Sequence, residues 1–150
     1  PKKQWIIDAG AIQMMDVSLI PKNAILTPHH GEYAQLFSDQ DISDAAKKYQ
    51  CIVLLKGGRD IASNGKETRV IEGGNAGMTK GGTGDVLAGL IAALACKNDP
   101  FLATIAGSFI NKKAGDALYA RVGPYFNATD LAGEIPVVMK DLLQKTEDKN

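Results

Sequence analysis

Within Gly77-Met78-Thr79-Lys80-Gly81-Gly82-Thr83-Gly84-Asp85, three glycines in four residues are followed by an acid and then by the apolar stretch Val86 to Cys96. Backbone amides unshielded by side chains can crowd around an anion, and a following helix would point its positive end at the same spot. The pattern predicts a phosphate site built from the amides of Gly82, Thr83 and Gly84, although a glycine turn before a helix can also be only a tight connection. A carboxylate repels phosphate. Asp85 beside such a cradle therefore reads as a base or a metal partner rather than a binding contact.

Several elements must position this turn. Trp5-Ile6-Ile7 reads as a short strand ending at Asp8, and Ala24-Ile25-Leu26-Thr27 as a second strand stopped by Pro28. The loop Thr27-Pro28-His29-His30-Gly31-Glu32 then leads into a helix from Glu32 to Phe37. Asp41 or Ser43 can cap a helix running to about Tyr49. The clearest strand is Cys51-Ile52-Val53-Leu54-Leu55, ended by Lys56-Gly57-Gly58. Asp60 to Ser63 and Thr68 to Ile71 flank Asn64-Gly65, the preferred pair for a type I′ hairpin turn. Beyond the glycine turn, an apolar helix to about Lys97 breaks at Asn98-Asp99-Pro100 before a long helix from Phe101 to Val122. The alanines and glycines of both helices predict close packing. Thr129-Asp130 and Glu134-Ile135-Pro136 punctuate a final short helical stretch, with Asp130 as a cap and Glu134 as a surface charge. Lys145 to Asn150 reads as a polar, fraying tail.

This alternation predicts a three-layer α/β domain over residues 1–150, its mainly parallel sheet carrying an antiparallel hairpin edge. At 150 residues, 45% apolar and 23% charged, the composition is that of a soluble globular domain. Basic and acidic residues balance at 17 each, which disfavours nucleic acid or an anionic membrane as partner. Positive charge gathers only locally, at Lys56, Arg59, Lys66, Arg69 and Lys80. Cys51 and Cys96 sit in apolar runs without zinc-site spacing and read as reduced core thiols. The start, Pro1-Lys2-Lys3-Gln4-Trp5, has no apolar signal core behind it, and a cytosolic protein is expected.

Four segments in fixed order carry a resemblance. They are Leu26-Thr27-Pro28-His29-His30-Gly31-Glu32-Tyr33, Leu54-Leu55-Lys56-Gly57-Gly58-Arg59-Asp60, Gly74-Asn75-Ala76-Gly77-Met78 through Asp85-Val86-Leu87-Ala88-Gly89, and Asn127-Ala128-Thr129-Asp130-Leu131 ahead of Ile135-Pro136. Together they resemble the ADP- or ATP-dependent NAD(P)H-hydrate dehydratases of the ribokinase-like superfamily. The likeness covers the C-terminal part of that family's domain, whose members carry roughly 100 further residues upstream. It implies a ribokinase-like fold lacking its N-terminal strands, with activity in doubt for this stretch alone.

The resemblance further implies repair of hydrated NADH and NADPH. The nucleotide phosphorylates the ring hydroxyl, phosphate then leaves, and the double bond returns. Asp85 would take the hydroxyl proton and touch the substrate, while Gly82, Thr83 and Gly84 would stabilise the transferring phosphoryl group. Lys56, Gly57, Gly58, Arg59 and Asp60 match the nucleotide-contacting segment, with Gly84 close to the AMP portion. His29 matches a substrate-contacting histidine, whereas His30 stands where the family commonly has proline. Asn75 and Glu32 are weaker matches for contacts to phosphate or to a metal-bound water. Mg²⁺ is expected with ADP or ATP but without direct protein ligands. Asp8-Ala9-Gly10-Ala11 departs from the family's pattern, Gly10 standing in place of a second acid, and Asp8 is left open between a structural and a catalytic role. Homo-oligomers are implied as well. The competing readings are a related kinase of a vitamin precursor or sugar, and a nucleotide-binding subunit without catalysis. The choice of ADP or ATP and the presence of a fused epimerase domain stay open.

Overall fold

A computed structural model describes residues 3–38 and 40–147 of the chain. Five strands, β1 (Ile6–Ile7), β2 (Ile25–Leu26), β3 (Ile52–Leu55), β4 (Asp60–Ser63) and β5 (Thr68–Ile71), form one sheet in the order β1-β2-β3-β4-β5. The first three pair in parallel and the last two antiparallel. The described residues also form six α-helices: α1 (Gly10–Met14), α2 (His30–Phe37), α3 (Ile42–Tyr49), α4 (Thr83–Ala95), α5 (Pro100–Val122) and α6 (Ala128–Glu147).

The period of two along a strand divides the core. Leu26, Val53 and Leu55 share a cluster with Tyr33, Phe37, Ala45 and Ala46 of α2 and α3. Their neighbours Ile25, Ile52 and Leu54 instead join Leu87, Ile91 and Phe101 of α4 and α5. A sheet lined on both faces by helices is the three-layer arrangement expected from the alternation of elements, with the hairpin at its edge. A third cluster, centred on Ile110, Ala114, Leu118, Phe126 and Leu131, attaches α6 to α4 and α5. Gly107 provides the close approach of the two long helices, since a Cβ there would lie 2.6 Å from Ile91 Cγ1. Close packing of these small residues is thus satisfied within the chain.

Several expectations need correction. The final helix is a 20-residue element running through Pro136, not a short stretch. It starts at a reciprocal cap: Asn127 Oδ1 accepts from the amides of Thr129 and Asp130, and Asp130 Oδ2 accepts from the Asn127 amide. Glu134 is a buried carboxylate accepting from Arg121 at 2.8 Å, because its helical position faces α5. Arg121 is held above its ordinary pKa chiefly by that hydrogen bond. The tail forms helix as far as Glu147; residues 148–150, like Pro1 and Lys2, lie outside the described residues.

The hairpin turn is not type I′. Four residues, 64–67, connect the register pair Ser63 and Thr68, and only Gly65 of these has positive φ. The Asn64 side chain accepts from the Lys66 and Glu67 amides, a local bond that replaces the tighter turn. Between the two candidate caps for α3, Asp41 does the work, accepting from Ser43 and Asp44 amides. The sequence reading did not anticipate α1 or the 3-10 turn Val17–Leu19.

Cys51 is a core thiol as expected, but Cys96 is exposed at the end of α4. Burial pushes the Cys51 thiol up to about 12 from 9.0, and the Tyr33 phenol, which donates to Gln40 O, up to about 12 from 10.0. Both groups keep their protons in the folded state when the unfolded chain has lost them. The stability they contribute is therefore complete below about pH 9 and lost as pH rises from there toward 12. Urea denaturation at stepped pH should show this alkaline fall, and Cys51→Ala should move its onset upward. An unchanged onset would assign the fall to other groups.

Candidate active site

The carboxyl ends of the three parallel strands deliver Asp8, Thr27 and Lys56 to one edge of the sheet, where open α/β folds keep ligands. Asp8 Oδ1 accepts from Thr27 Oγ1 and from Lys56 Nζ, both at 2.8 Å. Lys56 is thus committed to an ion pair, with 21% of its side chain still exposed. The N-terminus of α4 closes over this pair: a Cβ on Gly84 would stand 3.4 Å from Lys56 Nζ and 3.7 Å from Asp8 Oδ2.

A cavity of about 390 Å³ opens beside this junction. It is lined by Lys56, Gly57, Gly58 and Asp60, by Gly73 to Ala76 with Met78 and Thr79, by Thr83, Gly84 and Leu87 of α4, and by Asn111 and Lys112 of α5. This volume falls within the ordinary range of small-molecule sites.

The glycine turn enters α4 through Gly82, at φ 87°, a conformation costly to any other residue. The first intrahelical bond here is Val86 N to Gly82 O. Thr83 N is taken by Lys80 O at 3.3 Å, and Thr83 Oγ1 lies 2.7 Å from both Met78 O and Lys80 O. Among the described residues the amides of Gly82, Gly84 and Asp85 are left without a protein acceptor. Such orphan donors at a helix start are what an anion replaces water on. Asp85 lies on the first turn, exposed, outside the residues lining the cavity, and its carboxylate has no partner among the described residues.

Lys80 is not a free cation of the cradle. Its ammonium donates to Pro124 O and, at 2.6 Å, to Phe126 O, and sits 5.1 Å from the Phe126 ring. It straps the turn to the segment before α6. Close contact continues at Gly77, where a Cβ would meet the Phe126 ring at 2.5 Å. Lys80→Met keeps the apolar stem but loses both carbonyl contacts. It should weaken nucleotide affinity roughly tenfold in calorimetric titration with little change in fold, whereas unaltered affinity would remove Lys80 from positioning the cradle.

The remaining candidates are drawn into the scaffold to different degrees. His29 caps α2: its Nδ1 accepts from the Glu32 amide at 3.1 Å, and Glu32 Oε2 accepts from its backbone amide at 2.9 Å. Glu32 is buried, its other oxygen accepting from Gln13 at 3.1 Å. The loop adjoins Lys56 through a parallel bridge between His29 and Lys56. His30, set aside in the sequence reading, faces Gly57: a Cβ on that glycine would lie 3.0 Å from His30 Nε2. Asn75 caps a 3-10 turn by accepting from Gly77 N and donates to Asp116 Oδ1 at 3.0 Å. Arg59 points out to an exposed ion pair with Glu72 at 3.6 Å and does not line the cavity.

Asp60 is 5% exposed. Its Oδ1 accepts from the Gly57 amide at 3.0 Å and pairs with Lys112 at 3.2 Å, while Oδ2 accepts from Ser108 Oγ at 2.8 Å. Lys112 Nζ also reaches Gly73 O at 3.1 Å. The sequence reading missed this polar stripe of α5. Ser108, Asn111, Lys112 and Asp116 recur at helical spacing along α5, and that pattern was the available signal.

With this geometry in place, residues 1–137 match the family model for NAD(P)H-hydrate dehydratase. The chain belongs to the NAD(P)H-hydrate dehydratase family. Among its relatives, a bifunctional NAD(P)H-hydrate repair enzyme of Archaeoglobus fulgidus is 43% identical over 136 residues, covering 89% of this chain and 28% of the relative. An ADP-dependent (S)-NAD(P)H-hydrate dehydratase of Nitrosopumilus maritimus is 39% identical over 146 residues, covering 89% of this chain and 51% of the relative. The chain therefore spans about half or less of these curated dehydratases. The fold agrees with the solved ADP/ATP-dependent NAD(P)H-hydrate dehydratase of Bacillus subtilis, co-crystallized with ATP/Mg²⁺. The TM-score is 0.80 at 26% identity, over 92% of this chain and 55% of that one.

No helix among the described residues is long and apolar enough to cross a membrane. Nor do the described His, Cys, Asp and Glu residues form a group of three able to hold a metal.

Proposed function

We propose that this chain carries the phosphoryl-transfer centre of a nucleotide-dependent dehydratase that repairs hydrated NADH and NADPH. The observation that carries the reading is the start of α4. Among the described residues, free amides at Gly82, Gly84 and Asp85 and an unpartnered carboxylate on the first turn stand beside a nucleotide-sized cavity, in a chain of this family.

Asp85 is the base. It accepts the proton of the hydroxyl on the hydrated ring as that oxygen attacks the terminal phosphorus of the nucleotide, and the shortened nucleotide departs with the bonding electrons. The ring oxygen now leaves as phosphate, a far better leaving group than hydroxide. Loss of a ring proton then restores the double bond. Through that sequence the amides at the start of α4 offset the negative charge that builds on the phosphoryl oxygens. Gly84 admits the phosphates close to the backbone, and Lys56, held by Asp8, keeps a fixed ammonium donor at the strand ends. His29 and His30 stand beside the same edge, His29 through its bridge to Lys56 and His30 against Gly57.

The cavity suits a nucleotide, with amides and Lys56 at one end and Met78 and Leu87 among its walls. Mg²⁺ would arrive with the phosphates and keep most of its waters, which needs no protein cage. ADP is the donor to test first, as the N. maritimus relative is named ADP-dependent. The full-length protein should restore reduced-nicotinamide absorbance to hydrated NADH in the presence of Mg²⁺ and ADP or ATP. Failure with both nucleotides would overturn the dehydratase reading, and nucleotide binding without consumption would favour a non-catalytic subunit.

A further inference from the structure

Asp116 lies on α5, half-buried, and does not itself line the cavity. Its carboxylate is spent on the segment between β5 and α4. Oδ1 accepts from Asn75 Nδ2 at 3.0 Å and Oδ2 from the Gly74 amide at 3.2 Å. A Cβ on Gly73 would stand 3.0 Å from the same Oδ2, so the chain passes directly against it. Two neighbours on the same turn of α5 assist. Lys112 Nζ donates to Gly73 O at 3.1 Å, and Gly115 leaves room for the Met78 thioether, which a Cβ there would strike. Lys112 also pairs with Asp60, whereas every hydrogen bond of the Asp116 carboxylate among the described residues goes to this segment. Residues 73–78 are thereby held where they wall the cavity and run on into the glycine turn.

The same contacts fix which way the Asn75 amide faces. Gly77 N donates to Asn75 Oδ1 at 3.0 Å, which demands oxygen at that end, and the Asp116 carboxylate demands nitrogen at the other. An amide nitrogen carries two hydrogens, and Asp116 takes one. The second has no acceptor among the described residues, on a side chain that lines the cavity. Because the Asp116 partner is an ionised carboxylate, the bond that holds this orientation is a charge-assisted one. A fixed donor suits an anionic oxygen. It does not suit a metal-bound water, which needs an acceptor.

We infer that Asp116 is a positioning residue, acting through Asn75 to present a hydrogen-bond donor to the phosphoryl oxygens in the cavity. This inference rests on the phosphoryl-transfer reading proposed above. Asp116→Asn takes an acceptor from either Gly74 or Asn75, and in the full-length protein should lower kcat for hydrated NADH about 10- to 100-fold, with a fall in the urea midpoint. The exchange Asn75→Asp with Asp116→Asn is the deciding variant. The amide placed on α5 can accept from Gly74 and donate to the carboxylate placed on the turn, which still accepts from Gly77, so all three contacts are kept. Only the group facing the cavity changes, from donor to acceptor. The exchange should therefore regain the urea midpoint of the unaltered protein while kcat stays about 10²-fold or more below it.

Recovery of kcat together with the midpoint would reduce Asp116 to a support for the turn and overturn the inference, as would unchanged kcat in Asp116→Asn. Where the exchange does not regain the midpoint, Asn75→Ala decides instead. In that background Asp116→Asn should change kcat by less than about twofold, and an equal fall with and without Asn75 would overturn the inference. Absence of both turnover and nucleotide binding in the unaltered protein would overturn the phosphoryl-transfer reading, and this inference with it.

Discussion

Asp85→Asn is expected to lower turnover of hydrated NADH by about 10²–10⁴-fold, the span of a positioned general base, while nucleotide affinity stays within roughly threefold. The split follows from the geometry. The carboxylate is exposed and unpartnered among the described residues, so its loss breaks no structural contact, and the amides of Gly82 and Gly84 remain available to phosphate. Removing a negative charge from the first turn of α4 costs the helix only about 0.3–1 kcal/mol. The near-isosteric amide leaves the backbone where it was. Single-turnover absorbance and calorimetry on the same preparation check both halves, and undiminished turnover would take the role of base from Asp85. A fall in nucleotide affinity as large as the fall in turnover would instead make it a binding contact.

Asp60→Ala is expected to be the most destabilising of the site substitutions, at about 3–5 kcal/mol in urea denaturation. It strips three donors of their acceptor at once: the Gly57 amide, Ser108 Oγ and the ammonium of Lys112, a residue only 6% exposed. The buried unpaired ammonium dominates the cost. Lys112→Met in the Asp60→Ala background should therefore recover part of the loss, a coupling that independent sites would not show. Arg59→Ala provides the contrast, since its ion pair with Glu72 is 69% exposed on both sides and is worth less than about 1 kcal/mol. Equal losses at Asp60 and Arg59 would remove the buried pair as the anchor of the Lys56-Gly57-Gly58 turn.

The elements with strong local signals were legible in the chain itself. Ile52 to Leu55 is four buried apolar residues between a helix end and two glycines, a pattern that suits only a central strand. Asp99-Pro100 fixes the start of α5 by combining a side-chain cap with a ring already set for the first turn. The glycine turn and Asp85 announced a helix start open to an anion, because glycines and a following apolar run encode that geometry within a dozen residues. Local pattern misled at Pro136 and at Asn64-Gly65. There the packing of α6 on α4 and α5, and of the hairpin tip on α3, outweighed the preferences of single residues; a Cβ at Gly65 would lie only 2.6 Å from Lys47 Cα.

Side-chain partnership across elements was not legible. Asp8 and Lys56 are 48 residues apart, and their ion pair exists because parallel pairing brings the ends of β1, β2 and β3 to one edge. Asp60 and Lys112 meet because α5 crosses that face of the sheet. Lys80 belongs to the local gathering of positive charge in the sequence, and only the fold carries the Pro124 and Phe126 carbonyls to its ammonium. The sequence by itself determined the family, the order of the strands and long helices, and the chemistry available at the start of α4, since these rest on residue type and short spacing. Only the tertiary structure decided which charges are spent within the scaffold and which groups, the Asp85 carboxylate above all, are left without a partner among the described residues. Hydrogen bonds and ion pairs are satisfied through space, by whichever neighbours the packing supplies.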